Sequence, residues 1–229
     1  MGTHYSPRIV TDGLILYLDA ANTKSYPGTG TAWYDLSGNN NHSTLVDGPT
    51  FNPANLGSID FDGTAKFITV ADSSSINFGT GDFSLEFFIK LNNLSHYILN
   101  KAAFGGGRGY AVAVIYDNLW FGIQGDANYA TLFNLATIGV TTGIILNITL
   151  VCNQTTNFAH AYINGVLKGS NDISTQVGTT TGTSTLYLSS QYSPSYYANN
   201  KRYVTKIYNK ALSAAEVLQN YNALKSRYI

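Results

Sequence analysis

The chain of 229 residues carries 13 basic and 13 acidic side chains, a formal net charge of 0, with charged residues at only 11%, where roughly 25% is usual in soluble domains. Binding driven by phosphate neutralisation needs clustered Lys and Arg, and the densest run is Lys201-Arg202 with Lys206 and Lys210 downstream, so a nucleic-acid partner is excluded. Hydrophobic residues at 44% and aromatics at 13% supply a core for one large domain, and no stretch approaches the roughly 20 consecutive apolar residues of a spanning helix, which excludes membrane insertion.

Residues 1–11 read as an N-terminal arm or tail and residues 12–229 as one domain. The first ten residues lack the apolar run of a signal peptide, so the expectation is a protein made without an export signal. Short period-2 runs punctuated by Gly, Asn and Ser then predict strands over 14–19, 58–61, 66–70, 110–116, 119–124, 144–151, 159–163, 186–189 and 204–208. In residues 83–90, Phe83, Leu85, Phe87 and Ile89 alternate with Ser84, Glu86, Phe88 and Lys90, the pattern of a half-buried strand. Asn164-Gly165 predicts a type I′ hairpin, because both residues accept positive φ, and Asp117-Asn118 a second. Cys152 lies in an apolar run and reads as a buried thiol. The Gly-rich 105–109 and the Thr/Gly run 179–185 read as loops. Helical periodicity enters only at the end, where Ser213 and Glu216 form a capping box and Val217, Tyr221, Leu224 and Tyr228 recur on one face. That predicts one helix over 213–226, closing an edge or end of the sandwich. The fold class is all-β, with one short C-terminal helix.

Particular residues carry a family resemblance. They are Asp12-Gly13-Leu14-Ile15-Leu16-Tyr17-Leu18-Asp19 with Ala20-Ala21-Asn22, Tyr26-Pro27-Gly28, Trp33-Tyr34-Asp35-Leu36-Ser37-Gly38-Asn39, Phe61-Asp62-Gly63, Tyr162-Ile163-Asn164-Gly165 and Ile207-Tyr208-Asn209-Lys210-Ala211-Leu212-Ser213. Together they resemble the laminin-G-like, concanavalin A-like lectin/glucanase jelly rolls over about residues 12–227. The long Tyr-Pro-Gly loop and the terminal Gln219-Asn220-Tyr221-Asn222 are similar to the version in structural proteins of tailed bacteriophages. The resemblance implies a two-sheet antiparallel jelly-roll sandwich, often with calcium at one rim and carbohydrate bound by loops or the concave face. In its phage version it implies a virion surface protein, a capsid decoration or fibre-tip adhesin. Its partners would be cell-surface glycans or other virion proteins, with homo-oligomerisation open.

The glucanase branch implies two glutamates two or four positions apart on one strand, whereas this chain has only Glu86 and Glu216. Asp60 and Asp62 share a strand face but belong to the Phe-Asp-Gly turn, so the expectation is a non-enzymatic protein. His4, His42, His96 and His160 show no metal-ligand spacing, and no Gly-x-Ser-x-Gly elbow occurs. For calcium, Asp35, Ser37 and Asn39 alternate across a Gly-containing turn and Asp19 and Asp62 come from matching family blocks, a supply of hard oxygens that suits Ca²⁺. An Asx-turn at Asp35 that merely closes the loop is the other open reading. For carbohydrate, aromatic faces cover C–H patches while amides and Arg read hydroxyls. Gln191, Tyr192, Tyr196, Tyr197, Asn199, Asn200 and Arg202 form one candidate cluster and Arg108, Asn128 and Tyr129 another. Tyrosine-rich surface serves protein contacts equally well, so a cement protein touching other virion proteins is the alternative to a lectin.

Overall fold

The computed structural model describes residues 7–102, 108–124, 130–176, 178–191 and 196–228. In chain order the strands are β1 (Leu14–Asp19), β2 (Ala32–Trp33), β3 (Ser43–Val46), β4 (Thr50–Asn52), β5 (Ser58–Asp62), β6 (Phe67–Val70), β7 (Phe83–Leu91) and β8 (His96–Asn100). They continue with β9 (Gly109–Ile115), β10 (Asn118–Gln124), β11 (Ala130–Asn134), β12 (Ile145–Asn153), β13 (Phe158–Ile163), β14 (Val166–Asp172), β15 (Leu186–Leu188) and β16 (Asn199–Tyr208). A one-turn helix α1 (Leu135–Ile138) follows β11, and α2 (Ala214–Tyr228) ends the chain. One sheet has the order β14-β13-β12-β7-β16-β5-β4 with β1 also on β16, the other β11-β10-β9-β8-β15-β6-β3-β2. Every strand pairing is antiparallel. The architecture is the expected two-sheet jelly-roll sandwich.

Alternation builds the core. Leu16, Leu18, Phe83, Leu85, Phe87, Ile89, Ile148 and Leu150 from the first sheet meet Ile68, Val112, Val114, Leu119, Phe121 and Leu188 from the second, all fully buried. Phe83 stacks on Phe78 at 4.7 Å and meets the edge of Phe121 at 5.7 Å, an offset aromatic column through the middle. Asn164 (φ 52°) and Gly165 (φ 77°) make the expected hairpin. The second hairpin turns one residue earlier than Asp117-Asn118, on Tyr116 (φ 49°) and Asp117 (φ 60°). That register pairs Leu119 with Val114 and leaves the Tyr116 side chain in solvent instead of opposite a core leucine.

Two expectations are corrected by the helix. β7 is buried on both faces, and α2 caps no edge; it lies on the outer face of the first sheet, against Phe88, Tyr203, Val204 and Tyr208. The capping box forms as read, Ser213 N–H donating to Glu216 Oε2 (2.8 Å) and Glu216 N–H to Ser213 Oγ (3.3 Å). A bulge between Arg202 and Val204 puts Tyr203 and Val204 both under the helix. The buried stripe of α2 is Val217, Asn220, Leu224 and Tyr228, so an amide sits among its apolar contacts.

That amide meets Glu86, which is fully buried. Asn220 Nδ2 donates to Glu86 Oε2 (2.9 Å) and to the Tyr208 hydroxyl (2.9 Å), and Asn220 Oδ1 accepts from the Val10 N–H (2.8 Å). Asn147 Nδ2 donates to Glu86 Oε1 (2.9 Å), and Lys206 Nζ lies 3.0 Å from Oε2, both side chains at 0% exposure. Desolvation pushes the Lys206 ammonium below its ordinary pKa while Glu86 pulls it back. At the far end of α2, Arg227 pairs with buried Asp19 at 2.9 Å.

Removing one partner of a buried ion pair leaves the other charge uncompensated, at about 3–5 kcal/mol, whereas half-exposed pairs contribute about 0–1 kcal/mol. In chemical denaturation, Lys206→Met is therefore expected to lose several kcal/mol and Lys201→Met, which removes the surface pair with Asp60, less than about 1 kcal/mol. Equal losses would contradict the burial argument.

Candidate functional site

The candidate site lies on the outer face of the second sheet, around β6 and β15. On β6 the alternation turns Ile68 and Val70 inward and Phe67 and Thr69 outward; on β15 it buries Leu186 and Leu188 and turns Tyr187 outward. Tyr187 stands directly opposite Thr69, with its ring 5.9 Å from Phe67. Tyr197 stacks on the other side of Phe67 at 6.3 Å, 25° from parallel. These groups, with Val46, Ser190 and Gln191, line a cavity of about 330 Å³, within the range of small-ligand sites. Gln191 Nε2 reaches the hydroxyl of Tyr97 on β8 at 3.5 Å, and Tyr97 meets exposed Tyr196 edge-on at 6.2 Å. Burial and Tyr196 hold the Tyr97 phenol above its ordinary pKa, so it stays a neutral hydroxyl. Five aromatic rings thus share one face with a glutamine amide and the threonine hydroxyl.

The base of this site is clamped from behind. Ser189, a buried non-glycine residue at φ 64°, turns the chain out of β15; its N–H donates to the Ile98 carbonyl (3.0 Å) and its carbonyl accepts from the Ala198 N–H (2.9 Å). Arg202 reaches the same point from the opposite sheet. Its Nη2 donates to the Ile98 carbonyl (2.6 Å) and to Ser189 Oγ (3.3 Å), its Nη1 to Thr205 Oγ1 (2.8 Å), and its guanidinium lies 5.5 Å from the Phe87 ring centre. Non-glycine residues hold positive φ only where the surroundings over-determine them, and this network does so for Ser189.

The structure therefore divides the first predicted cluster. Tyr196 and Tyr197 lie on the open face. Arg202 and Asn200 are corrected: both are 0% exposed, Arg202 spending its donors on the core and Asn200 accepting from Ser189 Oγ, so neither reaches a ligand. Asn199 sits at the rim, its Oδ1 accepting from Asn92. Tyr192, Asn128 and Tyr129 lie outside the described residues, as do 103–107 of the Gly-rich loop. Arg108 is exposed, its carbonyl packed so close to Gly182 that a Cβ there would lie 2.7 Å away. Gln191 of the predicted cluster lines the cavity as well, whereas Phe67, Tyr97 and Tyr187 were missed from the sequence; an aromatic at the polar phase of an alternating strand, as at Phe67 and Tyr187, was the available signal.

The residues expected to hold calcium do not fit it. Asp35 Oδ1 accepts from the N–H groups of Tyr17 (2.8 Å) and Ser37 (2.8 Å), and Oδ2 from Ser37 Oγ (2.7 Å) and the Asn41 N–H (3.0 Å), which saturates the carboxylate as an Asx-turn. Asn39 Nδ2 donates to the Leu14 carbonyl (3.1 Å). Asp19 accepts from the Tyr17 hydroxyl (2.8 Å), the Ala21 N–H (3.0 Å) and Arg227, and Asp62 is held by Thr64 and by Lys66 at 2.6 Å. Among the described residues no three His, Cys, Asp or Glu side chains gather to hold a metal. The carboxylates weighed for hydrolysis are engaged likewise: Glu86 under α2, Glu216 in the cap, and Asp60 by Ser58 (2.6 Å) and Lys201.

Two measurements follow. Millimolar Ca²⁺, the range of extracellular calcium modules, is expected to leave the melting temperature unchanged, while Asp35→Ala lowers stability by about 2–4 kcal/mol without any ion, because four donors lose their acceptor. A calcium-dependent rise in melting temperature would contradict this. His96, fully buried, is pushed down to about 4 by burial, with Arg202 adding to the shift. Between that value and the ordinary 6.5 the unfolded chain binds a proton that the folded chain refuses, so stability is full above about pH 6.5 and falls as the pH drops toward 4, by up to about 3 kcal/mol. Denaturant midpoints across this window should fall more steeply for the wild type than for His96→Gln; parallel profiles would remove His96 as the cause.

The model of the Concanavalin A-like lectin/glucanases superfamily matches residues 62–218. Among curated proteins none matches the chain. Among solved structures, the chain is similar to the binding domain of Paraclostridial Mosquitocidal Protein 1 (TM-score 0.73, 20% identity, 93% of this chain and 52% of that one). It is also similar to the ligand-binding domain of botulinum neurotoxin serotype D in complex with N-acetylneuraminic acid (0.72, 18%, 93% and 51%). A third is the binding domain of botulinum neurotoxin DC in complex with rat synaptotagmin II (0.72, 17%, 94% and 52%). The chain spans about half the length of these structures, and at such identities the likeness is one of fold. The family match covers more than half of the chain, and with the sandwich described above it establishes that the chain belongs to the Concanavalin A-like lectin/glucanases superfamily.

Proposed function

We propose that this protein is a non-enzymatic carbohydrate-binding module whose ligand lies on the aromatic face of the second sheet. The observation that carries this reading is the set of rings around Phe67, Tyr187 and Tyr197, left at the surface of a protein with ample core to bury them. Solvent-facing aromatics gathered around a cavity mark a binding surface, and sugars match such a surface because ring faces cover their C–H patches while amides and hydroxyls read their hydroxyls. The toxin domains of similar fold include one in complex with N-acetylneuraminic acid, which supports sugar as the ligand class. The engagement of Glu86, Glu216 and Asp60 in structural contacts supports a module without hydrolysis.

The setting that goes with this reading is the surface of a phage particle, as a capsid decoration or fibre-tip adhesin. It is supported by the sequence resemblance to structural proteins of tailed phages. A protein-binding role for the same face has its own support, since a domain of this fold is known in complex with rat synaptotagmin II. Other virion proteins or a second copy of the chain would then be the partner.

The paired substitution Tyr187→Ala with Tyr197→Ala is expected to lower binding on a glycan array at least about tenfold, which corresponds to about 1.4 kcal/mol, with a native-like fold by circular dichroism. Unchanged glycan binding by the folded variant would overturn the site. Glycan binding by neither protein, with loss of particle incorporation in the variant, would assign the face to virion contacts instead.

A further inference from the structure

Resting on the sugar-binding reading, we infer that the site selects uncharged sugars and rejects those carrying a carboxylate or sulfate. Among the described residues, none lining the cavity bears a formal charge. The polar atoms on offer belong to Thr69, Gln191 and the tyrosine hydroxyls. Hydroxyls and primary amides both donate and accept, and so does each hydroxyl of a neutral sugar. A carboxylate or sulfate offers acceptors only and needs charge-assisted donors to offset the loss of its water.

Two cations that adjoin residues of the site are engaged elsewhere. Lys66, which precedes Phe67, is tied to Asp62 at 2.6 Å, and the Arg202 guanidinium is 0% exposed behind Ser189, satisfied by Ile98, Thr205 and the Phe87 ring. Residues 192–195, between Gln191 and Tyr196, are Tyr-Ser-Pro-Ser and carry no charge by sequence. The cavity of about 330 Å³ falls at the small end of ligand sites, which run about 300–1,000 Å³, and so suits one or two sugar rings.

The test is a glycan array of matched pairs, each neutral core printed beside its sialylated, sulfated or uronate-terminated form, read at low and high salt. The neutral member of each pair is expected to bind at least tenfold more strongly, with little change between salts, because no ion pair is screened. Stronger binding of the charged members, weakening with salt, would overturn the inference while leaving the sugar-binding reading intact. Binding of no glycan in either arm by folded protein would overturn the sugar-binding reading, and the selectivity with it. Thr69→Arg supplies an independent check: a guanidinium opposite Tyr187 should swing the preference toward the charged members. An array pattern unmoved by that substitution would contradict the role assigned to charge.

Discussion

The carboxylate of Glu86 decides which face of this sandwich remains open. It lies at 0% exposure between β7 and α2, and its oxygens are met by Asn147, Asn220 and Lys206. A buried charge without partners is among the costliest features a fold can carry, so α2 is held where its Asn220 amide completes the set. The Val10 N–H then meets Asn220 Oδ1 and the Tyr208 hydroxyl donates to the Val10 carbonyl, which draws the start of the domain onto the same face. One polar cluster thus fastens helix, sheet and the chain before β1 together. The same burial keeps solvent away from this glutamate.

The opposite face is organised by the same physics with a different outcome. Arg202 crosses from β16 to the carbonyl of Ile98 and the hydroxyl of Ser189, so a buried cation fixes the point at which the chain leaves β15. Beyond that point Gln191 reaches the surface, and the Ala198 N–H returns to the Ser189 carbonyl next to Tyr196 and Tyr197. The rings of Phe67 and Tyr187 are set by strand alternation alone. The strands thus hold these two rings in place, and Arg202 and Ser189 fix the point from which Gln191 continues.

The sandwich was legible because its signals are local. Period-2 runs, the Asn164-Gly165 turn and the Ser213–Glu216 cap each fix a conformation within a few residues, and the structure shows all of them. What could not be read locally was where α2 would land. Its stripe was read as Val217, Tyr221, Leu224 and Tyr228, but Asn220 belongs to the buried face only because Glu86 lies opposite, a partner 134 positions away. Arg202 was misassigned for a related reason: beside Tyr196, Tyr197 and Asn199 it resembles a sugar donor in sequence, yet strand phase before the bulge turns it inward. Gln191, Tyr196 and Tyr197 came from composition; Phe67, Tyr97 and Tyr187 are assembled from separate parts of the chain by pairing in the second sheet. Asp35 shows the limit of motif spacing, since the alternation that suits a calcium loop equally suits a carboxylate saturated by its own turn.

The central claim is that ligand contact occurs on the ring-lined face of the second sheet and nowhere else among the described residues. Two-dimensional NMR of the side chains during titration with a neutral oligosaccharide that binds on the array tests it directly. Shifts concentrated on Phe67, Thr69, Tyr187, Gln191 and Tyr197, fading toward α2, are the result this account predicts. Shifts centred on the turn at Asp35, or on the polar hollow lined by Thr80, Gln154 and Asn157, with the ring-lined face unmoved, would contradict it.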